Sequence, residues 1–295
     1  MKRREFFGKA GVATSAFLAS GATFAESVER RAPLKVAHIT DVHIRPEENV
    51  PARAIAWLEK VKSHQPDFFL NGGDSINDAS YDGVSRERTL EQWEAWDEFR
   101  GQISDFEVYS CIGNHDSWWD VADKADKMYG KPYVVKRLEI PATYYSFDKG
   151  NWHFVIIDGN HEGISLGAEQ MEWLKNDLEA LAPNTPTLIM SHFPITSVTD
   201  ALVGGQHKDH RELKALFYTH RDKVKVCLSG HQHMLDRAWY NGVHYFCNGS
   251  LSGFWWGEGD EQSAGKQYYL ETPPGYAILE LFEDGEVKNT YYPLA

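Results

Sequence analysis

Eleven residues decide the fold: Phe106-Glu107-Val108-Tyr109-Ser110-Cys111-Ile112, followed directly by Gly113-Asn114-His115-Asp116. The first seven have the apolar and β-prone composition of a buried strand, and the last four form a polar turn. Open α/β sheets hold their ligands at the carboxyl ends of strands, so an amide, an imidazole and a carboxylate stand where a site is expected. Because Asn, Asp and Gly also make ordinary turns, this single junction is a weak signal.

Four further apolar runs end in the same way, each followed by Asp, Asn or His. Residues 36–40 precede Asp41-Val42-His43, residues 68–70 precede Asn71-Gly72-Gly73-Asp74, residues 187–191 precede His192, and residues 224–228 precede Ser229-Gly230-His231-Gln232-His233. Ordinary turn chemistry does not account for five such junctions. We therefore predict that the polar side chains converge on one site at one edge of a sheet.

Composition bounds the class of protein. A chain of 295 residues with 42% hydrophobic residues can bury one large α/β core. The net charge of −13 disfavours nucleic acids and anionic lipids as partners, because both are polyanions. It does not exclude a small anionic substrate held by metal ions, whose local charge outweighs the global one. After the first thirty residues, no segment is long and apolar enough to span a bilayer.

The N-terminus has the features of an export signal. Lys2-Arg3-Arg4-Glu5-Phe6-Phe7 resembles a twin-arginine n-region, a mildly apolar segment follows, and Thr23-Phe24-Ala25 offers a cleavage site. We predict a signal peptide at residues 1–25, recognised by the twin-arginine export machinery, and a periplasmic or secreted protein without stable membrane insertion. The alternative, a folded first helix, would be basic, interrupted by Gly and uncapped.

Hydrophobic periodicity predicts one domain over residues 26–295, in which early strands alternate with helices and late strands form a meander. The first strand, helix and second strand form a β-α-β unit with parallel strands. The predicted helices span residues 51–64, 85–103, 167–181 and 209–219. The predicted strands span residues 34–40, 67–70, 106–112, 143–147, 152–157, 187–191, 224–228, 243–247, 276–282 and 287–292. Residues 117–141 are predicted to be irregular.

The candidate ligands carry only oxygen and imidazole donors, without thiolate. They are Asp41, His43, Asp74, Asn114, His192, His231 and His233. Such a set suits Mn, Fe or Zn and is unsuited to Cu(I) or an iron–sulfur cluster. Seven side chains exceed one tetrahedral site and suit two divalent ions about 3.5–4 Å apart, which clamp the oxygens of an in-line displacement at phosphorus.

The five motifs, in this order, resemble those of the calcineurin-like metallophosphoesterase superfamily. The resemblance implies a mixed α/β fold: a four-layer α/β/β/α sandwich of two facing mixed sheets, with a dinuclear metal site at the carboxyl ends of strands. It implies that Asp41, His43 and His233 hold one ion and that Asn114, His192 and His231 hold the other. Asp74 would bridge the two ions.

The resemblance also implies a catalytic pair. His115 matches the histidine of the family that is not a ligand and that assists departure of the leaving group. A neighbouring carboxylate orients such an imidazole, and Asp116 is the candidate. Purple acid phosphatases of this superfamily carry a tyrosine three residues after the bridging aspartate, where this chain has Asn77. A colourless enzyme is therefore expected.

We predict a metal-dependent phosphoric ester hydrolase in which a hydroxide shared by both ions attacks phosphorus in line. Phosphodiesters are favoured over monoesters, because Ile156-Ile157-Asp158-Gly159, Gly167 and residues 170–174 resemble bacterial cyclic-nucleotide phosphodiesterases. The alternatives are a phosphomonoesterase and, from another class, a metal-binding scaffold without catalysis. The complete ligand set and His115 count against the scaffold.

Three features leave alternatives open. The aromatic segment 249–275 either forms a wall against substrate or packs its own aromatics over the sheet edge, and the second is slightly favoured. His161 and His207 are minor candidates for substrate contact, whereas His38 is expected in the core and His64, His153, His220 and His244 at solvated or edge positions. Cys111, Cys227 and Cys247 are expected to be buried and reduced, with a bridge between Cys227 and Cys247 as the alternative.

Overall fold

The computed structural model describes residues 31–47, 49–81, 83–121, 123–200, 204–257 and 272–294. The predicted signal peptide at residues 1–25 and most of the aromatic segment lie outside the described residues. Residues 32–295 form one compact unit. No helix in the described part of the chain is long and apolar enough to cross a membrane.

The first sheet has five strands in the order β11-β10-β1-β2-β3. Its strands are β1 (Leu34–Ile39), β2 (Phe68–Asn71), β3 (Val108–Ser110), β10 (Gly275–Leu281) and β11 (Val287–Pro293). β1, β2 and β3 are parallel, and the chain returns antiparallel through β10 and β11. Helices α1 (Val50–Lys62) and α2 (Arg86–Gly101) make the crossovers between the parallel strands. The predicted β-α-β start is confirmed.

The second sheet has six strands in the order β4-β5-β6-β7-β9-β8. They are β4 (Tyr145–Lys149), β5 (Trp152–Ile156), β6 (Thr187–Met190), β7 (Val224–Ser229), β8 (Asp236–Tyr240) and β9 (Val243–Cys247). β5, β6, β7 and β9 are parallel, whereas β4 and β8 are antiparallel edges. Helices α4 (Gly167–Ala180) and α5 (His210–Thr219) connect the parallel strands, and α3 (Lys131–Arg137) precedes β4.

The two sheets face each other across the main hydrophobic core. The ring of Phe68 on β2 packs edge-to-face on Phe154 of β5, with centroids 5.3 Å apart. The same core continues beneath α1 and α2 through residues such as Leu58 and Trp93. A second cluster joins the outer face of the six-stranded sheet to α4 and α5. The expected fold, two facing mixed sheets with helices outside, is confirmed, and all parallel strands end toward one edge.

Two elements were missed by the sequence analysis. Helix α3 lies inside the stretch predicted to be irregular, where Pro132 near its start was interpreted as punctuation although Pro is favoured in a first helical turn. Edge strand β8 is short and largely exposed, so it lacks an apolar run. All three cysteines are buried and free.

Candidate metal centre

The turns after the strands hold unusual backbone conformations. Five candidate ligands have positive φ between 45° and 69°; they are Asp41, His43, Asp74, His231 and His233. This left-handed region costs a residue with a Cβ atom about 1–2 kcal/mol. Backbone strain of this kind persists only where the surroundings hold it in place, and it is typical of functional sites.

Two glycines allow these turns to approach each other. A Cβ atom on Gly113 would lie 2.0 Å from Oδ1 of Asp74, and one on Gly230 would lie 2.2 Å from Oδ2 of Asp41. Any other residue at these positions would displace a candidate ligand, because its Cβ atom would overlap the Asp74 or Asp41 carboxylate. The glycines of the two motifs therefore serve close packing between turns.

The first group of candidate ligands consists of Asp41, His43 and His233, which are buried and whose ligand atoms lie within 4.8 Å of one another. Nε2 of His43 is 3.0 Å from Nε2 of His233. Oδ1 of Asp41 is 3.4 Å from Nε2 of His233. The backbone N–H of His231 donates to both oxygens of the Asp41 carboxylate at 3.0 Å, which fixes its orientation.

The second group consists of Asp74, His192 and His231, again within 4.8 Å. Nε2 of His192 is 3.3 Å from Nδ1 of His231 and 2.9 Å from Oδ1 of Asn114. Oδ2 of Asp74 lies 3.2 Å from Nε2 of His192 and 3.6 Å from Nε2 of His43. One carboxylate oxygen thus lies between the two groups, where a bridging ligand is expected. The structure brings together all seven predicted residues.

The imidazoles are oriented by backbone carbonyl groups. Nδ1 of His192 lies 2.8 Å from the oxygen of Gly72, and Nδ1 of His233 lies 2.7 Å from that of Gly253. Nδ1 of His43 lies 3.2 Å from the oxygen of Asn77. Since a carbonyl accepts a hydrogen bond, each Nδ1 carries a proton and each Nε2 faces the site, so that the neutral imidazole would present its Nε2 lone pair to a cation. Histidines that bind metals are held in this way.

The charges of the site favour cations. Burial raises the pKa of Asp74, but His192 and His115 lower it by more, and the net pKa lies well below the ordinary value. Burial lowers the pKa of His192, but Asp74 raises it to about 9. Burial and the nearby His192 lower the pKa of His231 to about 3. Two buried carboxylates thus stay ionised and attract positive charge.

His115 stands beside this centre without joining either group. Its backbone N–H donates to Oδ1 of Asp74 at 2.8 Å, and its ring lies 5.1 Å from that of His43. Burial lowers the pKa of His115, whereas Asp74 and Asp78 raise it, and the net pKa lies above the ordinary value. A partly exposed imidazole beside the centre can hold a proton for a departing oxygen.

The carboxylate that orients His115 is not the predicted one. Nδ1 of His115 is 3.0 Å from Oδ1 of Asp78. Asp116 instead accepts backbone N–H groups from Gly113 and Ser75, both at 2.7 Å. Asp116 therefore links the turns of two motifs. The tight turn directs its side chain away from the imidazole of its neighbour His115, which it does not contact.

Trp255 is a residue of the site that sequence reasoning did not single out. Its ring centroid is 3.7 Å from that of His43, 4.8 Å from that of His115 and 5.5 Å from that of His233. Its neighbour Trp256 is buried, and Nε1 of Trp256 donates to the oxygen of Val42 at 2.9 Å. In the described part of the aromatic segment Trp256 packs over the sheet edge, which is the favoured alternative, and Trp255 lies on the candidate ligands. A wall against substrate stays a prediction.

The remaining histidines divide by burial. His38 is in the core, as expected. His153 was expected at the edge but is buried, between Asp148 at 2.7 Å and Asp177 at 2.9 Å. His207 is buried and bonded to Ser191 at 2.8 Å, which removes it as a candidate for substrate contact. His161 is exposed beside the centre.

The donor set fits two divalent cations. Oxygen and nitrogen donors form two groups, and the Asp74 carboxylate lies next to both of them. Backbone carbonyls orient three of the imidazoles. Two groups of donors at the carboxyl ends of parallel strands, with an imidazole beside them that belongs to neither group, are the arrangement expected of a dinuclear metal hydrolase, a class that includes the enzymes acting on esters of phosphoric acid.

Comparison with known proteins identifies the family. The family model of calcineurin-like phosphoesterases matches residues 34–235, and this chain belongs to that family. The chain is a hydrolase of phosphoric esters.

Two curated relatives match almost the whole chain. A 3′,5′-cyclic-nucleotide phosphodiesterase of Nostoc sp. is 28% identical over 272 residues, which cover 88% of this chain and 91% of that protein. A probable cyclic nucleotide phosphodiesterase of Synechococcus sp. is 26% identical over 270 residues, with coverages of 87% and 91%. The structure of a dimetal phosphatase of Danio rerio shares the fold, with a TM-score of 0.61, 15% identity and coverages of 89% and 100%.

Proposed function

We propose that this chain is a phosphodiesterase and that nucleotide phosphodiesters, 3′,5′-cyclic nucleotides first among them, are its substrates. The observation that carries the proposal is the match, over about nine tenths of both chains, to proteins named as cyclic-nucleotide phosphodiesterases. The five site motifs fall inside residues 34–235, which the family model matches.

The geometry is compatible with diester hydrolysis. When bound, two divalent cations supply Lewis acidity to the phosphoryl oxygens and lower the pKa of water. Asp41, His43 and His233 would hold one cation and Asn114, His192 and His231 the other, with Asp74 between them. Six of these residues form the two groups of donors found in the described part of the chain, and Oδ1 of Asn114 lies 2.9 Å from Nε2 of His192.

The chain's own contribution to leaving-group departure is His115. Its imidazole is partly exposed, is fixed by Asp78 and lies against the ring of Tyr81 at 5.0 Å. It can hold a proton on Nε2 toward the departing oxygen while the Asp78 carboxylate stabilises the imidazolium. The alkoxide leaving group of a phosphodiester departs less readily than that of an activated aryl ester, so this proton is needed most with natural nucleotide diesters.

The deciding experiment compares hydrolysis of bis(p-nitrophenyl) phosphate, p-nitrophenyl phosphate and 3′,5′-cyclic AMP by purified protein loaded with Mn²⁺. We expect the two diesters to be turned over with the higher kcat/KM. Faster turnover of the monoester would establish the phosphomonoesterase alternative. Absence of turnover for all three, with two metal ions bound per chain, would establish the metal-binding scaffold.

Metal identity is a separate part of the proposal. The oxygen and imidazole donors suit Mn, Fe or Zn. Elemental analysis of protein purified without added metal, followed by reconstitution with each ion, should yield two ions per chain and rank the three by activity. Stoichiometry of one ion per chain would contradict a dinuclear centre.

We also propose that the protein is exported through the twin-arginine route to the periplasm or beyond. The support is the sequence of residues 1–25. Replacing Arg3 and Arg4 together by Lys should retain the protein in the cytoplasm, as measured by cell fractionation. Unchanged fractionation would contradict the proposal.

A further inference from the structure

A cleft of about 480 Å³ opens directly beside the second group of candidate ligands. Asn114 and His231 form its inner end, and its walls include Tyr81, Trp119, Asn160 and Phe193. A group bonded to a phosphoryl group at the centre would extend into this cleft. The cleft can therefore hold the organic part of a substrate.

Two aromatic side chains of the cleft are unusually exposed for their size. Tyr81 is 49% exposed and Trp119 is 42% exposed. Both are nevertheless held in place: the ring of Tyr81 lies 5.0 Å from that of His115, and the ring of Trp119 packs edge-to-face on Tyr129 at 5.4 Å. Rigid, exposed aromatic faces next to a phosphoryl site are surfaces on which planar groups stack.

Gly130 contributes to this arrangement. It has a φ of +66°, and a Cβ atom there would lie 2.6 Å from the Trp119 ring. The backbone of Gly130 thus packs closely against the indole, while 42% of Trp119 stays exposed. Trp119 is thus exposed although its ring is packed against Gly130 and Tyr129.

The charge of the cleft argues against a second anionic group. Among the described residues that line it there is neither Lys nor Arg, and Glu162 adds a carboxylate. The nearby Lys131 is paired with Asp158 at 2.5 Å. Lys208 packs its ammonium group against Gly163 at the rim. A di- or triphosphate would thus place its charge beside Glu162, with neither Lys nor Arg among the described lining residues to balance it.

We infer that this cleft binds the neutral, planar organic group of the substrate, with Tyr81 and Trp119 as the specificity-determining stacking surface. The inference rests on the proposed function, which supplies a nucleotide diester. The inference specifies which part of the substrate is recognised. The site selects a nucleobase or aryl group beside a single phosphoryl group. It discriminates against polyphosphates.

The test compares binding of three probes to the Mn²⁺-loaded protein by isothermal titration calorimetry: AMP, ribose 5-phosphate and ADP. AMP and ribose 5-phosphate differ only in the base. The ratio of their dissociation constants therefore measures how much the base contributes to binding in the cleft. We expect AMP to bind about tenfold more tightly than ribose 5-phosphate, as one stacked base supports. ADP should bind no more tightly than AMP.

Trp119→Ala should reduce this ratio toward one while leaving ribose 5-phosphate binding unchanged, and Tyr81→Ala should also reduce the ratio. Trp119→Leu keeps apolar volume without an aromatic face and should give the same result, which guards against an unfolded alanine variant. Trp239→Ala is the matched control, because that indole is 74% exposed on β8 and lines no part of the cleft.

An unchanged ratio in the folded variants, or tighter binding of ADP that is lost in Lys208→Gln, would overturn the inference. Because calorimetry needs no turnover, the result stands apart from whether diesters or monoesters are hydrolysed. Preferred hydrolysis of monoesters with a normal AMP ratio would refute the proposed diesterase and leave the cleft assignment intact.

Discussion

Nδ1 of His115 lies 3.0 Å from Oδ1 of Asp78, although the two residues are separated by 37 positions in sequence. Asp78 is in the loop after β2, and His115 is in the turn after β3, so the pairing of parallel strands brings them together. The orientation of the His115 imidazole is therefore set by the neighbouring loop.

Asp78→Asn is expected to lower kcat for substrates with poor leaving groups by about 10–100-fold, as losses of an orienting carboxylate beside a functional imidazole do. Asn still accepts the hydrogen bond but removes the charge that stabilises the imidazolium. Metal content, measured by elemental analysis, should be unchanged. A variant with full kcat on an alkyl diester would contradict the role of Asp78.

Asp116→Asn is expected to act differently, through stability. Its two carboxylate oxygens accept from different backbone N–H groups, and Asn replaces one acceptor by a donor. Leaving one buried N–H unpaired costs about 1–3 kcal/mol. The measurement is Tm together with metal content, and both should fall. If instead only kcat changed, Asp116 would have the catalytic role that its sequence position suggested.

His115→Ala should retain both metal ions and lose about 10²–10⁴-fold in kcat for diesters with alkyl leaving groups, the usual contribution of a general acid. Activity on bis(p-nitrophenyl) phosphate should fall much less, because p-nitrophenolate leaves without a proton. Parallel elemental analysis is essential here. Loss of metal would show that His115 is a ligand.

Gly113→Ala should reduce metal binding and stability, because the added methyl group would lie 2.0 Å from Oδ1 and 2.1 Å from the backbone nitrogen of Asp74. The matched control is Gly101→Ala at the end of α2, where an added Cβ meets nothing within 4 Å. The control should be neutral or slightly stabilising, since Ala is favoured over Gly in helices. Equal effects of the two variants would contradict the close packing of the motif turns.

His153 should make stability depend on pH. Burial lowers its pKa, but Asp177 and Asp148 raise it by more, so the folded pKa lies above 6.5. The protonated imidazole of His153 contributes fully to the free energy of unfolding at pH values below its pKa in the unfolded chain. This contribution is lost as the pH rises through its pKa in the folded protein. The loss of unfolding free energy in His153→Gln, from urea titrations, should therefore be larger at pH about 5.5 than at pH about 8.

His244→Gln provides the opposite control. Burial lowers the pKa of His244. A depressed histidine pKa favours the folded state as the pH rises, so the effect of this variant should be larger at the higher pH. A His153→Gln effect that is independent of pH would show that the two carboxylates contribute by hydrogen bonding alone.

Trp255 should report metal loading. Its ring is 3.7 Å from His43 and 5.5 Å from His233, so a dication held there changes the electric field at the indole. Addition of Mn²⁺ to chelator-treated protein should change tryptophan emission, and Trp255→Phe should lose most of this change at unchanged metal content. Trp239→Phe should keep it. A full response in Trp255→Phe would place the metals away from His43.

The amino-acid sequence alone determined the strand-to-turn junctions, the candidate ligands and the order of most elements. Each of these depends on local features: an apolar run, a turn that needs Gly, or a polar residue at a strand end. The fold class followed because strands and helices alternate at short spacing. Local pattern did not reveal α3, where Pro132 was ambiguous, or the exposed edge strand β8.

Only the tertiary structure decided which distant groups meet. It paired His115 with Asp78 and not with its neighbour Asp116, laid Trp255 on His43 and enclosed His153 between two carboxylates. These contacts join residues from different turns or strands, so they depend on strand register and on the facing of two sheets. Residue type restricts what a side chain can do, and packing alone selects its partner.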